Sequence, residues 1–215
     1  MKNIQRNNDV INGNKDLERL YKFEKFPVFM GCIKQPIERD ISADMQWEIS
    51  KGSGIIQLNP LLPLEILYPE EHGAGVIGNM WMEHHQKFAK FIQEQSPKSV
   101  LEIGGGHGIL SRECKRENTI DWTILEPNPL PAEGVDATYI KGFFDDKFAF
   151  DGEIDTIIHS HVFEHVYYPN EFINHISNFL EEGQKLIFSL PNMEEMLKRN
   201  YTNCINFEHT VFITE

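Results

Sequence analysis

The run Ser99-Val100-Leu101-Glu102-Ile103-Gly104-Gly105-Gly106-His107-Gly108-Ile109-Leu110 constrains the fold of this chain more than any other stretch. A short apolar strand feeds a loop with glycine at 104, 105, 106 and 108, and the loop opens into a predicted helix over about 108–117. Glycine lets the backbone turn tightly and approach a ligand closely, and a helix start offers unpaired N–H groups to a negative one. The loop therefore reads as a seat for a nucleotide-like cofactor. A dinucleotide fingerprint needs glycine at 109 or 111, where the chain has Ile109 and Ser111, and no Gly-Lys-Ser/Thr follows to make a phosphate-cradling loop. Ile109 thus disfavours a nicotinamide enzyme.

Strands and helices alternate after this run: strands over 99–103, 122–126, 137–141, 154–159 and 185–190, helices over about 108–117 and 169–181. Such alternation predicts an α/β fold, a mostly parallel sheet with helices on both faces, whose ligands sit at the carboxyl ends of the strands. The linker 127–136 is too short and proline-rich for an ordinary crossover helix. Upstream, Asn79–Glu94 has helical spacing in Trp81, His84, His85, Phe88, Phe91 and Ile92, and Ala43–Pro60 reads as a β-hairpin turning at Lys51-Gly52-Ser53-Gly54. Pro60, Pro63 and Pro69 punctuate the loop between them. Glu126 ends the second strand about twenty residues beyond the glycine loop, where an acid can accept from both hydroxyls of a ribose.

Glu102, Gly104, Gly106 and Gly108 in E-x-G-x-G-x-G register resemble the first motif of the Rossmann-like S-adenosylmethionine methyltransferases. The resemblance implies that Glu102 lies near the amino end of the cofactor's methionine and that the glycines pass under its ribose. It also implies Asp145, just after Phe144, for the adenine amine. Asp155 and the cluster His159-Ser160-His161-Val162-Phe163-Glu164-His165 are similar to the D-x8-E-H pattern of small-molecule methyltransferases. There His161 lies against the cofactor and His165 is a candidate base. At the rim after the fifth strand, Asn192 is a candidate substrate contact. Glu208-His209 resembles part of a His-Glu-His stretch in sugar C-methyltransferases, with Phe207 where the first His stands. In that family a zinc ribbon with C-x-x-C precedes a Gln-Leu pair and a Trp-containing helix with an inward His. Gln57-Leu58, Trp81 and His84 fit that plan, His84 facing the substrate, but Ser50 and Ser53 occupy the C-x-x-C positions. Serine is a poor zinc ligand, so the expectation is a degenerate ribbon and no metal.

At 215 residues the chain can bury one substantial core with a small appendage. Its net charge of -13 argues against nucleic acid. Cys32, Cys114 and Cys204 are far apart and odd in number, so no disulfide framework or zinc site is spelled out, which fits a reduced, cytoplasmic protein. No apolar stretch approaches the roughly eighteen residues that cross a bilayer.

These readings predict a mobile tail at 1–16, an appendage with a β-hairpin at 17–78 and a methyltransferase domain at 79–215, its closing C-terminal strands missing. An open sheet edge after Lys185–Leu190, partly covered by Ile205–Ile213, invites homodimers. The expected function is S-adenosylmethionine-dependent methylation of a small polar metabolite, a nucleotide-linked or polysaccharide sugar, with His165, His209 and Glu208 as catalytic candidates. The alternative is a cofactor-binding domain that is truncated or has no activity of its own.

Overall fold

Alternation of inward residues two apart builds the antiparallel strand Ser42–Ser50, while the central parallel strands Ser99–Ile103 and Thr156–Ser160 are continuous buried runs. The computed structural model describes residues 3–29, 36–68 and 78–213. They fall into two compact units, one within 3–68, 163–171 and 191–213, the other within 78–162 and 172–190.

In the first unit, β1 (Leu17–Pro27), β2 (Ser42–Ser50), β3 (Ile56–Leu58) and β9 (Val211–Phe212) make an antiparallel sheet in that order. The predicted hairpin is β2–β3, paired Trp47↔Leu58 and Ile49↔Ile56. Met45 and Trp47 point to one face, as residues two apart must, and pack with Leu58, Leu61, Leu67, Phe207 and Phe212. Around this core lie the short helices α1 (Leu64–Leu67) and α5 (Met193–Lys198). The turn carries its own network: Ser50 Oγ accepts from the N–H groups of Gly52 and Ser53 and donates to Asp16 at 3.1 Å.

Two expectations are corrected here. The segment predicted as a mobile tail is anchored, because it brings polar groups that the sheet satisfies. Arg6 is 5% exposed. Its guanidinium donates to the carbonyls of Tyr167, Leu58 and Thr210, and buried Gln57 donates to the carbonyls of Arg6 and Asn8. The compact units therefore do not divide at residues 16 and 78. Likewise, within Ile205–Ile213, expected to cover a parallel-sheet edge, Val211 and Phe212 pair with Gln57 and Ile56 and are buried in the antiparallel sheet.

In the second unit, β4 (Ser99–Ile103), β5 (Asp121–Glu126), β6 (Thr138–Lys141), β7 (Thr156–Ser160) and β8 (Lys185–Ser189) form a parallel sheet of order β6-β5-β4-β7-β8. This is the predicted α/β architecture. Val100, Trp122, Ile124 and Ile158 bury one face under α2 (Asn79–Glu94) and α3 (Ile109–Lys115), through Phe88, Ile92, Leu110 and Cys114. On α4 (Pro169–Phe179), Phe172 packs edge-on against His159 of β7. No helix interrupts 127–136, as the prolines there dictate. Among the described residues no helix is long and apolar enough to cross a membrane. Cys32 and Pro69 lie outside the described residues.

Candidate functional site

The glycine loop joins the carboxyl end of β4 to α3. Gly104, Gly106 and Gly108 all have positive φ (73°, 46° and 72°), a region that glycine enters without strain. Space imposes a second condition. A Cβ on Gly104 would stand 2.6 Å from the Val162 side chain, and one on Gly108 would collide with the Tyr139 hydroxyl. A Cβ on Gly106 would meet nothing within 4 Å. The loop is thus closed on its inner side and open at Gly106.

Glu126 ends β5 beside that opening. Its carboxylate accepts from the Gly106 N–H at 3.2 Å and from the Asn128 N–H at 3.1 Å, so the acid and the loop are fixed to each other. Glu102 takes a different place. It is 3% exposed, accepts from the Trp122 indole N–H at 2.7 Å, and stands behind Gly105. Burial raises its carboxyl to about 7, against the opposing hydrogen bond from Trp122.

A second group lines the carboxyl ends of β7 and β8. His84 of α2 has Nε2 3.0 Å from Ser160 Oγ, which is 2.7 Å from Ser189 Oγ. Its ring stacks on Phe88, and the rings of Trp81 and His161 stand 5.0 Å apart edge to face. Burial, with His161 and His85 adding in the same direction, lowers His84 to about 4, so it is neutral at ordinary pH. His161 itself has φ 54° and donates its N–H to the Ser189 carbonyl. Val162 abuts Gly104, so this segment and the glycine loop are neighbours.

Asp145 is exposed and closes its own turn by accepting from the Lys147 N–H. Phe144 turns into a cluster with Phe148, Phe172, His175 and Phe179. Phe143, half exposed, lines a cleft with Leu125, Gly142, Asp145 and Phe148.

The remaining candidates belong to the first unit. Asn192 is the N-cap of α5, its Oδ1 accepting from the Glu195 N–H. His165 and His209 stand with ring centroids 5.2 Å apart. His165 Nδ1 lies 3.0 Å from the Glu208 carbonyl, so Glu208 meets it through its backbone. His209 Nδ1 lies 3.0 Å from the Cys204 carbonyl, and burial, with His165 nearby, holds this imidazole below the ordinary histidine range. Phe207, between them in sequence, is wholly buried in the core.

The sequence reading missed Gly105. Its φ is unremarkable, yet a Cβ there would come within 2.7 Å of the Glu102 carboxyl carbon. The three-glycine run was the available signal. Ser160 and Ser189 were also missed as a pair, since only the alignment of β7 with β8 sets them side by side.

A family profile described as a methyltransferase domain matches residues 79–215. The chain belongs to that family, and its five-stranded parallel sheet flanked by helices is that of a class I, S-adenosylmethionine-dependent methyltransferase domain. No curated protein matches it. Among solved structures, the plantazolicin methyltransferase BpumL with a monoazolic desmethylPZN analog and SAH is 16% identical, with 60% of this chain and 53% of that one covered and a TM-score of 0.44. BpumL with SAH is also 16% identical, with 58% and 52% covered and a TM-score of 0.43. The chain spans about half the length of these solved chains, 53% and 52%.

Proposed function

We propose that the chain holds S-adenosylmethionine across Glu102–Gly108, with Glu126 on the ribose, and methylates a small polar metabolite, a nucleotide-linked or polysaccharide sugar. The observation that carries this reading is the bond from the Gly106 N–H to the Glu126 carboxylate. A carboxylate has about four lone-pair sites, and the two backbone donors leave capacity for two hydroxyls. When bound, the cofactor supplies an electrophilic methyl on a sulfonium. Methyl transfer is an in-line displacement, so the residues contribute mainly orientation.

Asp145 is the candidate for the adenine amine, with Phe143 as the aromatic beside it, and His161 for the flank of the cofactor. His84 and Asn192 are the candidates for the acceptor: a neutral His84 beside two serine hydroxyls can exchange hydrogen bonds with sugar hydroxyls. His165 and His209 are the candidate bases, because each fixes its Nδ1 proton on a carbonyl and keeps Nε2 to accept one. The unpaired thiols of Cys114 and Cys204 suit a reducing cytoplasm, and the β8 edge suits a second copy of the chain.

Calorimetry with S-adenosylhomocysteine on the parent, Gly106→Ala and Glu126→Ala tests the reading. Alanine at Gly106 fits sterically and costs about 1–2 kcal/mol of backbone strain. Glu126→Ala should bind at least about tenfold more weakly, the loss of roughly one charged hydrogen bond, and Gly106→Ala should also bind more weakly, because its Cβ would project into the opening beside Glu126. If both bind as the parent does, the site is elsewhere. Binding without turnover of any sugar nucleotide would favour a domain that binds and does not catalyse.

A further inference from the structure

Glu164, His165 and His209 bring a carboxylate oxygen and two imidazole nitrogens within 4.8 Å of one another. All three belong to the first unit. Glu164 is 1% exposed, so this is not a solvated acidic face. Both imidazoles are already oriented. A backbone carbonyl only accepts, so the 3.0 Å contacts of His165 Nδ1 with Glu208 and of His209 Nδ1 with Cys204 favour the proton on Nδ1 and the lone pair on Nε2, the Asn206 amide nitrogen standing farther from His209 Nδ1 at 3.4 Å. A ring N–H fixed on a carbonyl is also how metal-bound histidines are held.

The backbone that carries the three groups is tied together. Thr210 donates its N–H to the Glu164 carbonyl at 2.8 Å and its hydroxyl to the Val166 carbonyl at 2.6 Å. Asn206 Oδ1 accepts from the His209 N–H at 2.7 Å.

We propose that Glu164, His165 and His209 bind one zinc ion, through one carboxylate oxygen and the two Nε2 atoms, with a fourth position open to water or another oxygen ligand. Two imidazoles and a carboxylate form a borderline donor set that suits zinc, whereas magnesium and calcium call for oxygen alone. Zinc bonds of about 2.0–2.2 Å set tetrahedral neighbours ~3.3 Å apart. Glu164 Oε1 and His165 Nε2 are 3.8 Å apart, so a shift of about half an ångström completes that edge. The inference goes beyond the proposed methylation and does not depend on its acceptor. With zinc bound the imidazoles are ligands, and the role of base passes to the oxygen in the open position.

The test is titration of the full chain, stripped with chelator, with zinc alone against a chromogenic indicator in millimolar magnesium. One equivalent should bind in the micromolar range or tighter, and His165→Ala and His209→Ala should each weaken it by at least about 100-fold. His84→Ala should bind as the parent does. Zinc should also raise the melting temperature of the parent and not of His165→Ala, whose partly exposed ring makes it the variant most able to fold. Equal binding by the parent and both variants, or the loss confined to His84→Ala, overturns the proposal. Titration of the same samples with S-adenosylhomocysteine reads the cofactor site separately.

Discussion

Glu102 is a carboxyl sealed behind the glycine loop, and its proton is coupled to folding. In the folded chain it stays protonated up to about pH 7, because burial disfavours the charged form. Unfolded, it ionises near the ordinary value of about 4.3. Between those values the folded state binds the extra proton, so stability falls as pH rises through that window and stays lower above it. Glu102→Gln keeps an acceptor for Trp122 and cannot ionise. It should match the parent near pH 4 and exceed it by roughly 3 kcal/mol at pH 8. Parallel melting curves for the two proteins across that range would show that Glu102 does not titrate. At this scale the sequence was readable where spacing alone decides, as for Gly104, Gly106, Gly108 and Glu126. It was not readable where side-chain direction decides. Neighbours Phe143 and Phe144 differ only in which one the aromatic cluster takes, and His165 meets Glu208 through a carbonyl that no motif records.

Elements with a clear apolar pattern were legible: α2 by its helical spacing, and β4, β5 and β7 as short, largely buried runs. β1 was not. Its side chains are mostly exposed, it has two register irregularities against β2, and so it carries no alternation to read. The segment before it was misread for a related reason, since polar residues that bond to carbonyls look like solvated ones. Arg6 is the sharpest case, its burial drawing the guanidinium down to about 10 while three carbonyls hold it. Arg6→Met leaves those carbonyls without this donor. It should cost roughly 2–4 kcal/mol, a fall in melting temperature of about 5–10 °C. A variant melting within a degree of the parent would mean that the Arg6 side-chain bonds add nothing to stability. The three groups of the zinc proposal were hidden in another way: ligand motifs are searched at short spacing, and His209 reaches Glu164 and His165 only through the fold.

At the scale of the whole molecule, two cores form from separate sets of residues, Met45, Trp47, Leu58 and Phe207 in one and Val100, Leu110, Trp122 and Ile158 in the other. Each proposed ligand belongs to one of them. In hydrogen exchange, S-adenosylhomocysteine should slow amides at 102–108 and 124–128, and zinc should slow amides at 163–166 and 204–210. The reverse assignment, or protection by the cofactor confined to the first unit, would contradict both site readings.

The pairing of β3 with β9 also sets an order of events during synthesis. Residues Ile56 and Gln57 leave the ribosome early, but their partners Phe212 and Val211 emerge only after the whole parallel sheet has been made. The apolar faces of β2 and β3 must therefore wait, exposed, while the intervening unit folds. The closing contact spans a very long loop, which favours slow completion and gives chaperones a reason to dwell on the nascent chain. A nonsense codon before position 211 would thus do its damage about 150 residues upstream, in strands that had already been translated correctly.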